Sequence, residues 1–330
     1  MDRIVFIRCD ANERIGRGHL TRCLVLADEL RESGYKITFL RKDKSFFMQD
    51  VIIKSKYKVE HIDEDYNIIE LAKKNLPILF IADIPEDIPY SIMRYLKQQE
   101  IVTVSIDSTQ AYSRHCDLCF FPQHAKVQSS LYRGNVHVGI EYTLIRPDFF
   151  KDNNSISVLE TEKQSILVMM GGTDPKNLTY DVTSTILKLT TQDENIIVLL
   201  PKGHTDYEKV KSLSSRVTLC SDVENMPALL KKVKLSIVHF GTSVYEMLIS
   251  AIPSILICST QDDIDSAKWF EKKGYATVLK LEEISSIDKY IFPNEFIPPR
   301  LKKANIIKTI QDYLVAQPNN KVSERNEKTL

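Results

Sequence analysis

Arg8-Cys9-Asp10-Ala11-Asn12-Glu13-Arg14-Ile15-Gly16-Arg17-Gly18-His19 decides the fold, because of what stands on either side of it. The stretch closes a short apolar strand, Ile4 to Cys9, and opens a run in which Leu20, Cys23, Leu24, Ala27 and Leu30 recur at helical spacing before Gly34 stops it. It therefore reads as a strand-to-helix turn of a parallel α/β unit. Glycines at 16 and 18 allow backbone conformations and close approaches that a bulky residue forbids. The helix N-terminal amides behind them favour a phosphate or a developing anion. His19, at the mouth of that helix, is placed to take a proton from a water attacking an anomeric carbon. A helix-start histidine bonded to a nearby carbonyl fits the same position, and the residues alone leave both readings open.

Working outward, the first half alternates β-rich runs with helical stretches. Strands are expected at Ile4 to Cys9, Lys36 to Leu40, Ile78 to Asp83 and Ile101 to Asp107. The polar segment 148–164 reads as a linker. A second alternating unit follows, with strands at Ser165 to Met170, Ile196 to Leu200, Leu235 to His239 and Ser254 to Cys258. Helices are expected near Leu178 to Leu189, Ser243 to Ser250, Ser266 to Lys273 and Lys302 to Leu314. The expected fold class is α/β, two Rossmann-like domains facing across a cleft: residues 1–147 and 165–316, with a polar, disordered tail at 317–330.

The length of 330 residues suits two domains of about 150 residues each. Apolar residues at 43% and charged residues at 27% suffice for two ordinary cores. Lys plus Arg and Asp plus Glu both number 44, so no net field would hold nucleic acid or an anionic membrane. No apolar run approaches the roughly 20 residues that span a bilayer, and no leader-like segment precedes the first strand; the expectation is a cytoplasmic protein without stable membrane insertion. The six cysteines lie mostly in apolar runs and read as reduced, buried thiols. Cys116-x-x-Cys119 has no second pair at zinc-ribbon spacing, and no metal is expected. A nicotinamide cofactor is disfavoured: the third glycine of a dinucleotide fingerprint would fall at Thr21, and no acidic residue stands near Leu40. No cofactor is expected at all.

Two more glycine turns carry candidate chemistry. In Met170-Gly171-Gly172-Thr173-Asp174, backbone amides and the Thr173 hydroxyl can wrap a diphosphate or a sugar, while Asp174 followed by Pro175 is equally suited to cap the next helix. In His239-Phe240-Gly241-Thr242-Ser243-Val244-Tyr245-Glu246, donors from Gly241, Thr242 and Ser243 suit phosphate oxygens. Glu246, one turn on, can accept both hydroxyls of a ribose, since a carboxylate only accepts; a surface glutamate at a helix start is the plainer alternative. Asp83 and Asp107 end strands, and Gln123, His124, Tyr132, Tyr142 and Arg146 gather near the domain junction.

These residues resemble a known family, the UDP-sugar hydrolases of pseudaminic acid biosynthesis, which cleave UDP from a 2,4-diacetamido-2,4,6-trideoxy-altrose. The matching residues are Arg8-x-Asp10, Ile15-Gly-x-Gly-His19-x-x-Arg22-x-Leu24-x-Leu26-Ala27, Cys116-Asp117, Gly139-x-x-Tyr142-x-Leu144-Ile145-Arg146-x-x-Phe149 and Met170-Gly-Gly-Thr-Asp174-x-Lys176-Asn177-Leu178. Glu246, Pro253 and Trp269-x-x-Lys272-Lys273-Gly274-Tyr275 extend the match to about residue 280. The resemblance implies a GT-B fold, UDP in the C-terminal domain with Glu246 on the ribose, and the sugar in the N-terminal domain. It implies His19 as the base that activates water, with inversion and without a required metal. Arg8, Asp10, Gly16, Gly18, Tyr142, Gly171, Gly172, Thr173, Asp174, Gly241, Thr242, Ser243 and Glu246 make up the expected substrate contacts.

The chain departs from the family's pattern in three places. Asp83-Ile84-Pro85 stands where Asp-His-Tyr is common, Gln261-Asp262-Asp263 where an Asn-Gln pair is, and His239 where a small residue is. The expected partner is a UDP-sugar, with other enzymes of the same pathway admissible. A GT-B glycosyltransferase with a sugar or lipid acceptor is the nearest alternative, and a non-catalytic nucleotide-sugar binding protein is the alternative from another class.

Overall fold

The computed structural model describes residues 3–12, 15–42, 52, 56–122, 127–151, 165–221, 223–290, 296 and 301–317. Contacts divide the chain into two compact units, the first comprising Met1–Ile15, His19–Leu144 and Ala304–Leu330, the second Gly16–Gly18 and Ile145–Lys303. Most of the expected linker, 152–164, and the expected tail beyond residue 317 lie outside the described residues, as do Gln123 and His124.

The first unit is built on β1 (Ile4–Cys9), α1 (Gly18–Glu32), β2 (Lys36–Arg41), β3 (Lys58–His61), α2 (Asn67–Asn75), β4 (Leu79–Asp83), α3 (Tyr90–Gln98), β5 (Val102–Ile106), β6 (Leu118–Phe121) and β7 (Asn135–Val138). Its strands form one parallel sheet in the order β3-β2-β1-β4-β5-β6-β7. Strand alternation sends Val5, Ile7 and Cys9 into a core shared with Leu26, Ala27 and Leu30 of α1, and Phe6 into another shared with Ile68, Ala72, Ile92 and Leu96 of α2 and α3. Both faces are covered, which is why the central strands read as nearly unbroken apolar runs.

The second unit follows the same plan: β8 (Ser165–Met169), α4 (Thr179–Leu189), β9 (Asn195–Leu199), α5 (Tyr207–Lys211), β10 (Val217–Cys220), α6 (Met226–Leu230), β11 (Val233–His239), α7 (Ser243–Ile249), β12 (Ser254–Cys258), α8 (Gln261–Lys272) and β13 (Thr277–Lys280). The parallel order is β10-β9-β8-β11-β12-β13. Ile166, Val168, Ile237, Ile255 and Ile257 meet Val182 and Ile186 of α4 in its core.

The last helix, α9 (Ile306–Ala316), was expected with the second domain but packs in the first. Its apolar stripe buries Ile306, Ile307 and Ile310 in the same core as α1. Such a stripe says that a helix needs a sheet face, not which sheet supplies it. Ile310→Ala is expected to cost about 2–4 kcal/mol, read as a shift in the urea unfolding midpoint; a loss below about 1 kcal/mol would contradict this packing.

Each sheet has one place where the chain stops adding strands on one side and starts on the other. In the first unit it falls between β1 and β4, in the second between β8 and β11. Ligands of open α/β sheets bind outside the strand C-termini at such switch points. The turn after β1 and the two turns after β8 and β11 are the three glycine turns singled out in the sequence.

Candidate functional site

In the first unit, β1 pairs with β4 so that Cys9 lies opposite Asp83. That register places the buried Asp83 carboxylate, at the last residue of β4, beside the start of α1. His19 Nδ1 lies 2.6 Å from Asp83 Oδ1. Arg22, one turn later on the same helix face, donates from Nε to Asp83 Oδ2 at 2.9 Å and from Nη2 to Oδ1 at 2.8 Å. Burial works to raise the Asp83 carboxyl, but Arg22 and His19 outweigh it and hold it down to about 2. An ionised carboxylate can only accept, so the proton of a neutral His19 must sit on Nδ1 and the lone pair on Nε2. Arg22 Nη2 is also 3.1 Å from Nδ1. Both nitrogens carry protons in this arrangement, and the shared Asp83 oxygen is what holds them together.

The His19 side chain keeps 21% of its surface exposed while Asp83 keeps none. The plain alternative, a ring tied to a backbone carbonyl, is therefore not what the structure shows. The buried Asp83 carboxylate backs the ring at Nδ1, and the lone pair is left on Nε2. This is how a carboxylate-backed imidazole serves as a general base. Asp83 is the residue the sequence reading undervalued. Its signal was its position, a carboxylate at the C-terminal end of an otherwise apolar strand, but only the β1–β4 pairing shows what it faces.

Arg8 and Asp10, expected among the substrate contacts, are 1% and 4% exposed. Arg8 Nη1 meets Asp10 Oδ2 at 2.6 Å and Arg8 Nε donates to Asp65 Oδ1 at 3.1 Å. Lys42 closes the network with its backbone N–H on Asp10 Oδ1 at 2.8 Å and its Nζ on Asp65 Oδ2 at 3.1 Å. Burial opposes the Arg8 charge, yet Asp10 and Asp65 prevail and its pKa is raised. Buried charges persist only when paired in this way, so these residues shape the end of β1. Gly16, at φ +81°, supplies the left-handed bend that lets the chain enter α1 at Gly18. Tyr142 packs its ring 5.5 Å from Phe120 and 5.3 Å from His137, half-buried against the first core.

In the second unit, the loop after β8 turns at Gly171, φ +89°, and again at Asp174 and Asn177, both left-handed. Asp174 is 2% exposed. Its Oδ1 accepts from Leu178 N–H at 2.9 Å and its Oδ2 from Thr179 N–H at 2.8 Å. Asp174 thus holds the amides that lead into the helix and is not its cap: the N-cap is Leu178, the helix begins at Thr179 and Pro175 lies in the loop. Gly172 and Thr173 stand in the same turn.

After β11 the chain passes through Gly241 and Thr242 into α7, which carries Ser243 at its first position and Glu246 one turn on. The Glu246 side chain is 12% exposed and takes Arg146 Nε on Oε1 at 3.2 Å. Burial raises its carboxyl more than Arg146 lowers it. Arg146 also lies over the Phe149 ring, 5.3 Å from its centre.

The three departures have local explanations. His239, where a small residue is common, contacts Phe240 O through Nδ1 at 2.9 Å and Ser259 Oγ through Nε2 at 2.8 Å, so its bulk braces the end of β11 against that of β12. Asp263 closes a reciprocal cap with Thr260 at the start of α8. Ile84 is 2% exposed in the core under α2 and α3, so the chain after Asp83 spends its side chain on packing. The cysteines are free thiols, five of them buried. Cys116 and Cys119 donate to Tyr112 O and Ser113 O, at 3.7 and 3.1 Å. Among the described residues no helix is long and apolar enough to cross a membrane.

The sheets and the solved structures they resemble define the class first, a GT-B fold of two Rossmann-like domains, with residues 165–310 matching the glycosyltransferase family 28 C-terminal domain. The fold is that of Acinetobacter baumannii MurG, with a TM-score of 0.65 over 96% of this chain and 99% of that one at 11% identity. Over 84% of its length the chain is 25% identical to the UDP-2,4-diacetamido-2,4,6-trideoxy-beta-L-altropyranose hydrolase of Campylobacter jejuni, covering 99% of that protein. It is also 21% identical to the spore coat polysaccharide biosynthesis protein SpsG of Bacillus subtilis over 87% of each chain. These matches fit the hydrolase family that the motifs resemble.

Proposed function

We propose that the protein hydrolyses a UDP-activated 2,4-diacetamido-2,4,6-trideoxy sugar to UDP and the free sugar, as a step in making a nonulosonic acid. The observation that carries this reading is the His19–Asp83 contact at 2.6 Å. It leaves an unshared electron pair on Nε2 of a partly exposed imidazole at a sheet switch point. In the proposed step, water gives a proton to Nε2 while its oxygen bonds to C1. The bond from C1 to the diphosphate oxygen breaks, and UDP leaves with the electron pair. Attack opposite the leaving group inverts C1, and no metal is required.

In this reading the second unit, which the family 28 C-terminal domain matches over 165–310, binds UDP, with Glu246 on the ribose and the turns at Gly171–Thr173 and Gly241–Ser243 on the diphosphate. Residues 1–147 hold the sugar in this reading, and the protein acts in the cytoplasm. Of the expected substrate contacts, Arg8, Asp10 and Asp174 act through the backbone they hold, and Tyr142 through packing.

Incubation with the UDP-sugar in 18O-labelled water, without acceptor and with EDTA present, tests it. UDP release with one label in the sugar at C1 is the expected result, and label in UDP instead would reject attack at carbon. The family 28 match also favours a second reading, a glycosyltransferase on this frame. Turnover only when a sugar or lipid hydroxyl is added would establish that, and binding without turnover would indicate a nucleotide-sugar binding protein.

A further inference from the structure

A third charged group stands at the edge of the first sheet that holds His19 and Asp83. Asp107 follows β5 directly, and its Oδ2 lies 3.6 Å from Arg22 Nη1, beyond good hydrogen-bond length. One guanidinium thus faces two carboxylates in different states. Asp83 is fully buried and takes three contacts, from Arg22 Nε, Arg22 Nη2 and His19 Nδ1. Asp107 leaves 33% of its side chain exposed.

The backbone at Asp107 is left-handed, φ +48°, and is pinned there by its N–H donating to Phe120 O at 2.8 Å. Aspartate is among the few side chains that tolerate this region, and the conformation fixes how the carboxylate leaves the strand end. Partial burial raises the Asp107 carboxyl and the Asp83 charge adds to that, against the pull of Arg22. With a third of its side chain open and Arg22 beyond good hydrogen-bond length, the carboxylate has acceptor capacity left for a donor brought by a ligand.

We propose that Asp107 is a positioning residue for the glycosyl half of the substrate, its carboxylate accepting an acetamido N–H or a hydroxyl of the sugar. The role rests on the nucleotide-sugar reading above. A group that only accepts selects sugars rich in donors. Beside Asp83 it also repels sugars that carry a carboxylate, so amido sugars are admitted and uronic acids are not.

Calorimetry separates this from a structural role. In a His19→Ala background, where turnover is blocked, UDP and UDP-2,4-diacetamido-2,4,6-trideoxy-altrose are titrated with and without Asp107→Ala. The sugar nucleotide is expected to weaken by about 10- to 100-fold and UDP to stay within about two-fold, because UDP lacks the sugar. Asp107→Asn, which keeps one acceptor oxygen, should recover part of the loss. Equal weakening of both ligands, or an unchanged preference for the sugar nucleotide, overturns the assignment. A parent protein that does not bind UDP overturns the nucleotide-sugar reading itself, and this role with it.

Discussion

His19→Ala is expected to lower kcat for UDP release by between about 100- and 10,000-fold, the range that a positioned general base contributes, with KM changed only a few-fold. The asymmetry follows from what the ring does. Nδ1 is tied to Asp83 at 2.6 Å and the lone pair is left on Nε2, so in the proposed step the ring acts on the attacking water and not on nucleotide already held. Loss of an interaction made only in the transition state falls on kcat. Stability should change little, because the ring is 21% exposed and Arg22 still pairs with Asp83 after its removal. Calorimetry with UDP checks that the second unit is intact. A variant with near-native kcat would remove the base from the mechanism, and one that no longer bound UDP would show that His19 supports the fold.

How much of this was legible beforehand depends on burial. The central strands β1, β4, β8, β11 and β12 stand out in the sequence because sheets covered on both faces demand continuous apolar residues. Of the strands absent from the expected set, four are the sheet edges, β3, β7, β10 and β13, each of four residues and mostly half-exposed. At an edge one side of the strand needs no apolar cover, so Lys58-Val59-Glu60-His61 carries no strand signature. The same limit hid the partner of His19. Sequence marks Asp83 as a strand end, but its role comes from the β1–β4 crossover, which joins residues 64 positions apart. Arg8 and Asp10, expected from the resemblance as substrate contacts, are engaged with each other and with the chain after β2, so the end of the first sheet needs their charges as a pair out of water. The chain that matches the hydrolase motifs is therefore divided in purpose, with some matched residues holding backbone and others facing outward.

Asp83→Asn should lower kcat by about 100- to 10,000-fold although the ring and its neighbours stay in place, and for a reason distinct from His19→Ala. Asp83 selects the tautomer. Asparagine can offer N–H to Nδ1, and Arg22 Nη2, already 3.1 Å away, becomes a second donor to it once the carboxylate charge is gone. The ring proton then moves to Nε2, where a lone pair is needed, and a base of ordinary geometry is left with nothing to accept with. The same substitution changes the acid response. The Asp83 carboxyl is lowered from 3.8 to about 2 in the folded chain. Its contribution of about 2 kcal/mol is therefore fully present above pH 4 and is lost as pH falls through about 2, because the unfolded chain takes up the proton first. Acid unfolding followed by circular dichroism should show the wild-type protein losing stability across this window, while Asp83→Asn, weakened at neutral pH by the loss of its ion pair with Arg22, shows a shallower fall. Parallel acid curves for the two proteins would mean that Asp83 is not held ionised by Arg22 and His19, and the tautomer argument would lose its footing.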